Sequence, residues 1–260
     1  ESNGWLTEKE KLKTGAVVIS NLMHRQGRFD EALKLAEKET ATFGRMLRIG
    51  TALYFKGQYK LALNYFEEGL KLFRKDIGLR KGTFPAFYGV AHMLTILRLK
   101  EKDYLKTALK LAEETPDNPY AKIFEYLQSG IQYQLNNFLD ANELLDETPN
   151  SPLEHIFYAA AHYWNSMVLP AHLPSILKNH LFNATKHGYH WVEMELSAML
   201  SVFEKDPDIA TEYAEATASL EEKLGCHSIL HLFPRTEAWE RSLEALLHLQ
   251  AKKGKKTAAN

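Results

Sequence analysis

One short phrase recurs four times in the first part of the chain. It consists of a turn residue, an aromatic residue one or two places later, and an alanine three or four places after that. The clearest copy runs from Gly57 through Tyr59 to Ala62, with an amphipathic stretch on either side. Glycine accepts the left-handed conformation that ends a helix, and alanine lets two helix backbones approach closely. The phrase therefore predicts a series of helical hairpins.

This phrase resembles the repeat of the tetratricopeptide family, which is about 34 residues long. In the second copy, Gly50, Ala62 and Phe66 fall at the small and aromatic positions of that family, whereas the first copy departs from it with Ser20 and Ala36. The resemblance covers residues 13–150. The positions with a structural role in the repeat are Gly27, Phe29, Ala32, Gly50, Gly57, Tyr59, Ala62, Phe66, Tyr104, Phe138 and Ala141.

The spacing of the four aromatic residues indicates an insertion in the repeats. Phe29, Tyr59, Tyr104 and Phe138 are separated by 30, 45 and 34 residues. The long gap predicts an insertion near residues 75–85. Residues 1–150 are thus expected to form the repeats.

Helical patterns continue beyond residue 150 without the phrase. Proline at a first helical turn and glycine after a last turn predict helices over 152–168, 173–186, 189–204, 206–224 and 237–249. No stretch alternates apolar and polar residues as a strand does. We expect an all-α protein of about 13 helices, stacked as a right-handed α–α superhelix. Residues 151–250 would continue this solenoid and cap it, and residues 251–260 would form a basic linker or tail.

Charge is distributed unevenly between the two parts of the chain. Residues 1–110 carry 21 Lys and Arg against 12 Asp and Glu, and residues 111–250 carry 7 against 21. This polarity suits a protein or peptide partner with acidic features, or a neighbouring domain that contacts both ends. Two solvated faces of opposite sign explain it equally well. Aromatic residues such as Tyr54 lie among the basic ones, so nucleic acid is a second, less favoured partner.

The cysteine content and the apolar runs indicate where the chain functions. A single cysteine, Cys226, excludes an internal disulfide and is typical of a reducing compartment. No apolar run approaches the roughly 20 residues needed to span a bilayer. We therefore expect a cytoplasmic protein without a membrane partner. The absence of a starting Met and the lysine-rich ending are typical of a domain of a longer polypeptide.

The sequence offers no convincing catalytic or metal site. Cys226 and His227 are adjacent, and adjacent residues on a helix point in different directions. Histidines are concentrated after residue 150, but none follows the paired Cys and His spacing of a zinc motif. The two clusters are His187, His190 and Glu193, and Cys226, His227 and His231. We expect no enzyme activity, no metal and no cofactor.

The resemblance implies that the first helix of each pair lines a groove that binds a peptide. Candidate groove residues are Asn21, Arg25, Arg45, Arg48, Tyr54 and His92. The first hypothesis is accordingly a non-enzymatic protein–protein interaction scaffold. The second comes from residues 233–246, which are similar to a segment that precedes the ATPase core in large bacterial SWI/SNF-type DNA translocases. The chain would then be an accessory domain of such a motor and contact nucleic acid through its basic half.

Overall fold

The computed structural model describes residues 19–38, 43–77, 86–113, 121–145 and 148–233, and all regular structure within these ranges is helical. Residues 19–26 form α1, and a 3₁₀ turn at Ile229–Leu232 follows the last α-helix. The other helices are α2 Phe29–Glu37, α3 Phe43–Phe55, α4 Tyr59–Ile77, α5 Ala86–Leu99, α6 Tyr104–Glu113, α7 Ala121–Gln134, α8 Phe138–Glu143, α9 Pro152–Trp164, α10 Leu173–Lys186, α11 His190–Phe203 and α12 Pro207–Leu224.

The recurring phrase forms the turn of a helical hairpin. At the first copy, the backbone of Gly27 is left-handed with φ 75°, and that of Gly57 at the second copy has φ 71°. The Arg28 N–H donates to the Met23 carbonyl at 2.8 Å, and the Gln58 N–H donates to that of Leu53 at 2.9 Å. These bonds satisfy carbonyls that the end of a helix leaves free.

The aromatic and alanine positions of the phrase begin the second helix of each hairpin. Phe29, Tyr59, Tyr104 and Phe138 are the first residues of α2, α4, α6 and α8. The alanines that follow them are buried, and they are Ala32, Ala62, Ala108 and Ala141. A Cβ on Gly50 would lie 3.1 Å from the ring of Phe66. The small residues therefore set how closely the paired helices approach.

Helix boundaries beyond residue 150 follow local capping chemistry. α10 has the predicted bounds, and α12 ends at Gly225, which has φ 68°. α9 ends at Trp164, four residues before the predicted end, because the chain turns at Ser166 with φ 54° and Met167 N–H donates to the His162 carbonyl.

Several sequence predictions fall on residues outside the described ranges. These are the helix over 237–249, the tail at 251–260 and residues 78–85 of the insertion. α4 extends through Ile77, so the residues at 75–77 are helical. Within the described ranges, no helix combines the length and the apolar character that crossing a membrane requires.

The first hairpins of the chain contact the last helices. The ring of Phe55 in α3 packs edge-on against that of Trp191 in α11, with centroids 5.1 Å apart. The turn at Gly27 lies directly against the side chain of Leu224 at the end of α12. One hydrophobic core accordingly extends from α2 to the residues that follow α12.

Candidate functional site

The most unusual feature of the structure is the path of residues 226–233, called here the inner segment. After Gly225 the chain leaves α12 and passes against α5, α9 and α11. It also reaches α7, where a Cβ on Gly130 would lie 2.8 Å from the ring of Phe233. The surface of these alternate helices that the segment covers is called the inner groove.

Arg98 at the end of α5 binds the main chain of the inner segment. Its guanidinium donates to the carbonyl oxygens of His227 and Ser228 at 2.6 and 2.7 Å. Burial acts against the charge of Arg98, but the neighbouring Tyr54, Tyr59 and Glu195 raise its pKa above the ordinary value. A permanently charged donor is thereby held against two backbone acceptors.

Glu195 of α11 accepts hydrogen bonds from donors of the same segment. Its carboxylate accepts the Ser228 hydroxyl at 2.7 Å and the Ile229 N–H at 3.0 Å. Glu195 is fully buried. Burial raises its pKa to about 7, although the bonds from Ser228 and Ile229 and the charge of Arg98 oppose the rise. Arg98 thus binds backbone acceptors and Glu195 a backbone donor at the point where the inner segment enters its 3₁₀ turn.

The far end of the inner segment is held by one hydrogen bond and by apolar packing. The Trp164 indole N–H donates to the Leu230 carbonyl at 3.3 Å. The ring of Phe233 packs edge-on against that of Trp164, with centroids 5.0 Å apart. Ile229, Leu232 and Phe233 are all buried. Because glycine at position 130 leaves room for the Phe233 ring, the groove forms a pocket for an aromatic side chain.

The second histidine cluster of the sequence contacts a carboxylate of α12. Glu221 accepts the Ser228 N–H at 2.7 Å, and its oxygens lie 3.3 Å from His227 Nδ1 and 3.5 Å from His231 Nε2. Partial burial acts to raise the pKa of Glu221, but the hydrogen bonds from His231, Ser228 and His227 outweigh it and lower the pKa to about 2. These side chains support the start of the inner segment. Burial raises the pKa of the adjacent Cys226 to about 12, which disfavours a nucleophilic thiolate.

The first histidine cluster closes a helix turn. His187 Nδ1 lies 2.8 Å from the Asn183 carbonyl, and His190 Nδ1 lies 3.2 Å from Glu193. Thr185 donates to the same carboxylate at 3.0 Å. Among the residues that the structure describes, no three His, Cys, Asp or Glu side chains are grouped in a way that would hold a metal ion.

The structure distributes the six candidate groove residues over several separate environments. Tyr54 is buried beside Arg98, next to the inner groove. Arg48 and His92 are also buried, and the His92 ring stacks on Phe66 with centroids 5.3 Å apart. Arg48 therefore has little surface to offer a ligand, whereas His92 lines a further cavity between α4, α5 and α6. Arg45 is half-buried in α3. Asn21 and Arg25 lie elsewhere, on a separate cavity beside α1.

Sequence reasoning missed Arg98, Glu195, Trp164 and the inner segment. The signal for Glu195 was present, because it lies on the face of α11 that also carries the buried residues Trp191, Met194 and Ala198. A carboxylate on an otherwise apolar helix face requires a buried partner. Comparison of the chain with protein-family models, with curated proteins and with solved structures gives no match.

Proposed function

We propose that this chain is a non-enzymatic interaction scaffold of the cytoplasm. Its hairpins would form a tetratricopeptide-like right-handed superhelix whose inner groove binds an extended peptide or a segment of a neighbouring domain. The repeated hairpin turns and the arrangement of alternate helices around one surface support this proposal. The observation that carries it is the inner segment itself, which lies in the groove as a bound peptide would.

The chemistry of the groove indicates which peptides it accepts. Arg98 and Glu195 contact backbone groups, so they hold a segment with this backbone conformation in one register whatever its side chains. Selectivity comes from the side chains, since Glu195 also accepts a hydroxyl and the pocket at Gly130 accepts an aromatic ring. The preferred peptide carries serine followed by bulky apolar residues, as in the sequence from Ser228 to Phe233. Acidic residues flanking this core would suit the basic first half of the chain.

An external partner must compete with the inner segment for the groove. A covalently attached segment competes at an effective concentration that reaches about the millimolar range for short linkers. A partner in trans must therefore bind more tightly than the resident segment, or meet a chain whose segment has been released. This competition makes the groove selective without a further contact.

The proposal is tested with a fluorescent peptide that reproduces residues 225–233. In the double variant Ile229→Asp/Leu232→Asp, two buried carboxylates are incompatible with the groove and should release the segment. Fluorescence anisotropy should show that the peptide binds this variant much more tightly than wild type, in which it must displace the resident segment. Adding Arg98→Gln to the double variant should abolish binding, because the two carbonyl contacts are lost. Val168→Asp, at a position 90% exposed, is the control for added charge.

A second readout does not depend on the folding of the double variant. Saturating peptide should accelerate alkylation of Cys226 in the wild-type chain, because displacement of the inner segment uncovers this buried thiol. Peptide binding that is unaffected by Arg98→Gln, together with unchanged alkylation of Cys226, contradicts the proposal.

The second candidate, an accessory domain of a SWI/SNF-type translocase, is supported by the charge excess of residues 1–110. Part of that excess is engaged within the chain, because Lys56 pairs with Asp30 and Arg98 binds the inner segment. Retention of duplex DNA by the purified chain at low and moderate salt tests direct contact. Absence of retention at every salt concentration eliminates nucleic-acid binding by this domain.

A further inference from the structure

A cavity of about 430 Å³ lies where α1 and α3 meet α9, α10 and α11. Its volume falls in the range of about 300 to 1,000 Å³ that is typical of small-molecule sites. The inner segment contributes nothing to its wall, so the cavity is separate from the inner groove. The lining residues are Asn21, His24, Arg25, Phe55, Ser151, Pro152, Leu153, Ile156, His180, Asn183, Ala184, His187, Tyr189, Trp191 and Val192.

His24 is a buried polar side chain in this wall without a hydrogen-bond partner. It is 2% exposed, and within the described residues neither ring nitrogen has a donor or acceptor in reach. Its ring packs against those of Phe29 and Phe55, with centroids 6.4 and 5.1 Å away. A buried polar group without a hydrogen-bond partner destabilises the folded state. A ligand that accepts the imidazole N–H would relieve this destabilisation.

Most of the polar side chains described around the cavity can donate a hydrogen bond. Arg25 stands beside His24 on α1, and Asn21 offers an amide. Across the cavity lie His180 of α10, whose Nε2 is buried and has no partner among the described residues, and His187 just after α10. The other titratable groups near His24 are Tyr189 before α11 and His155 of α9, which packs against His180 with centroids 5.1 Å apart. Among the described residues that line the cavity there is no Asp or Glu, so these donors favour an anion.

The rest of the cavity wall favours an anion that also carries an aromatic ring. Phe55, Trp191 and Ile156 present rings and a branched side chain to the cavity. Pairs of aromatic rings attract each other beyond the gain from burying their area. An aliphatic anion would forgo these contacts, and a phosphate would bring a charge that a single arginine does not balance.

We propose that this cavity binds a small aromatic carboxylate, with its ring against Phe55 and Trp191 and its carboxylate on His24 and Arg25. The empty cavity keeps His24 neutral, because burial lowers its pKa to about 4. A bound carboxylate next to the ring raises that pKa, so binding takes up a proton and strengthens as the pH falls toward 5.

Fluorine NMR with a matched set of probes tests the proposal. The probes are 4-fluorophenylacetate, the neutral 2-(4-fluorophenyl)ethanol and the cationic 2-(4-fluorophenyl)ethylamine. The acid should bind the full chain with a Kd of about 1 mM or tighter, and the alcohol about tenfold more weakly. His24→Phe, which keeps the aromatic packing, and Arg25→Gln should each weaken the acid about fivefold or more. Arg28→Gln, in the neighbouring turn and away from the cavity, is the matched control and should change nothing.

Three results would each overturn the proposal. They are equal affinity for the acid and the alcohol, unchanged affinity for the acid in both variants, and no saturable binding of the acid up to about 10 mM. Arg25 is exposed. Arg25→Gln therefore keeps the test decisive even if circular dichroism shows that His24→Phe fails to fold.

Discussion

The substitution Glu195→Gln tests whether a buried carboxylate limits the stability of the closed groove. Burial raises the pKa of Glu195 from an ordinary value of 4.5 to about 7. The native state therefore holds this proton over a range where the unfolded chain releases it. Stability from this group is fully present below pH 4.5 and is lost as the pH rises through about 7.

The size of the effect follows from the pKa shift. Each unit corresponds to 1.36 kcal/mol, so ionisation of Glu195 should cost about 2 to 3 kcal/mol of unfolding free energy between about pH 5 and about pH 8. Glutamine cannot ionise, but its amide oxygen still accepts from Ser228 or Ile229. Its amide N–H₂ changes the free energy of unfolding by an amount that does not vary with pH. The stability of the variant relative to wild type should thus improve by about 2 to 3 kcal/mol across this range.

Urea denaturation followed by far-UV circular dichroism at several pH values measures this difference. Comparing variant with wild type cancels every other titrating group that the two chains share. Glu215→Gln, on an exposed part of α12, carries the same chemical change and supplies the baseline. A difference between wild type and Glu195→Gln that stays flat with pH refutes the reasoning, since it shows that the groove tolerates the charge at no cost.

Three further predictions concern the packing of the groove and of the turn at Gly27. Gly130→Ala should destabilise the chain by about 1 to 3 kcal/mol in urea denaturation, because the added Cβ would lie 2.7 Å from Trp164 and 2.8 Å from Phe233. Gly27→Ala should cost more than Gly188→Ala, since both have positive φ but only Gly27 faces Leu224; equal costs would show that this contact is weak. Cys226 should react with alkylating reagents much faster in Arg98→Gln than in wild type, as followed by mass spectrometry, and equal rates would mean that Arg98 does not hold the inner segment.

The hairpins were predictable from sequence because their information is local. A glycine with positive φ, the aromatic residue after it and a buried alanine lie within a few residues of one another at Gly57, Tyr59 and Ala62. The same holds for α12, where the Asp206 side chain accepts the Asp208 N–H at 3.0 Å and Gly225 ends the helix. Capping and turn chemistry thus specified most of the all-helical structure.

The inner groove was not predictable, because its contacts connect distant residues through the main chain. Arg98 resembles any basic residue in the last turn of a helix, yet it binds carbonyls about 130 positions away. A backbone carbonyl has no residue type, so no sequence pattern marks the acceptor. Residue type alone suggests Tyr54, Arg48 and His92 equally as groove residues. Tyr54 does lie beside Arg98, whereas Arg48 and His92 are buried against other helices.

The contact of the first described helices with α11 and α12 restricts how a protein of this kind can change in length. An open helical array gains or loses a hairpin at modest cost, since each unit touches only its neighbours. Here Phe55 packs on Trp191, and the turn at Gly27 packs on Leu224. An additional hairpin between them would separate both contacts and move Arg98 away from the main chain that it binds. Related sequences should therefore differ in their loops and side chains while keeping the same number of hairpins.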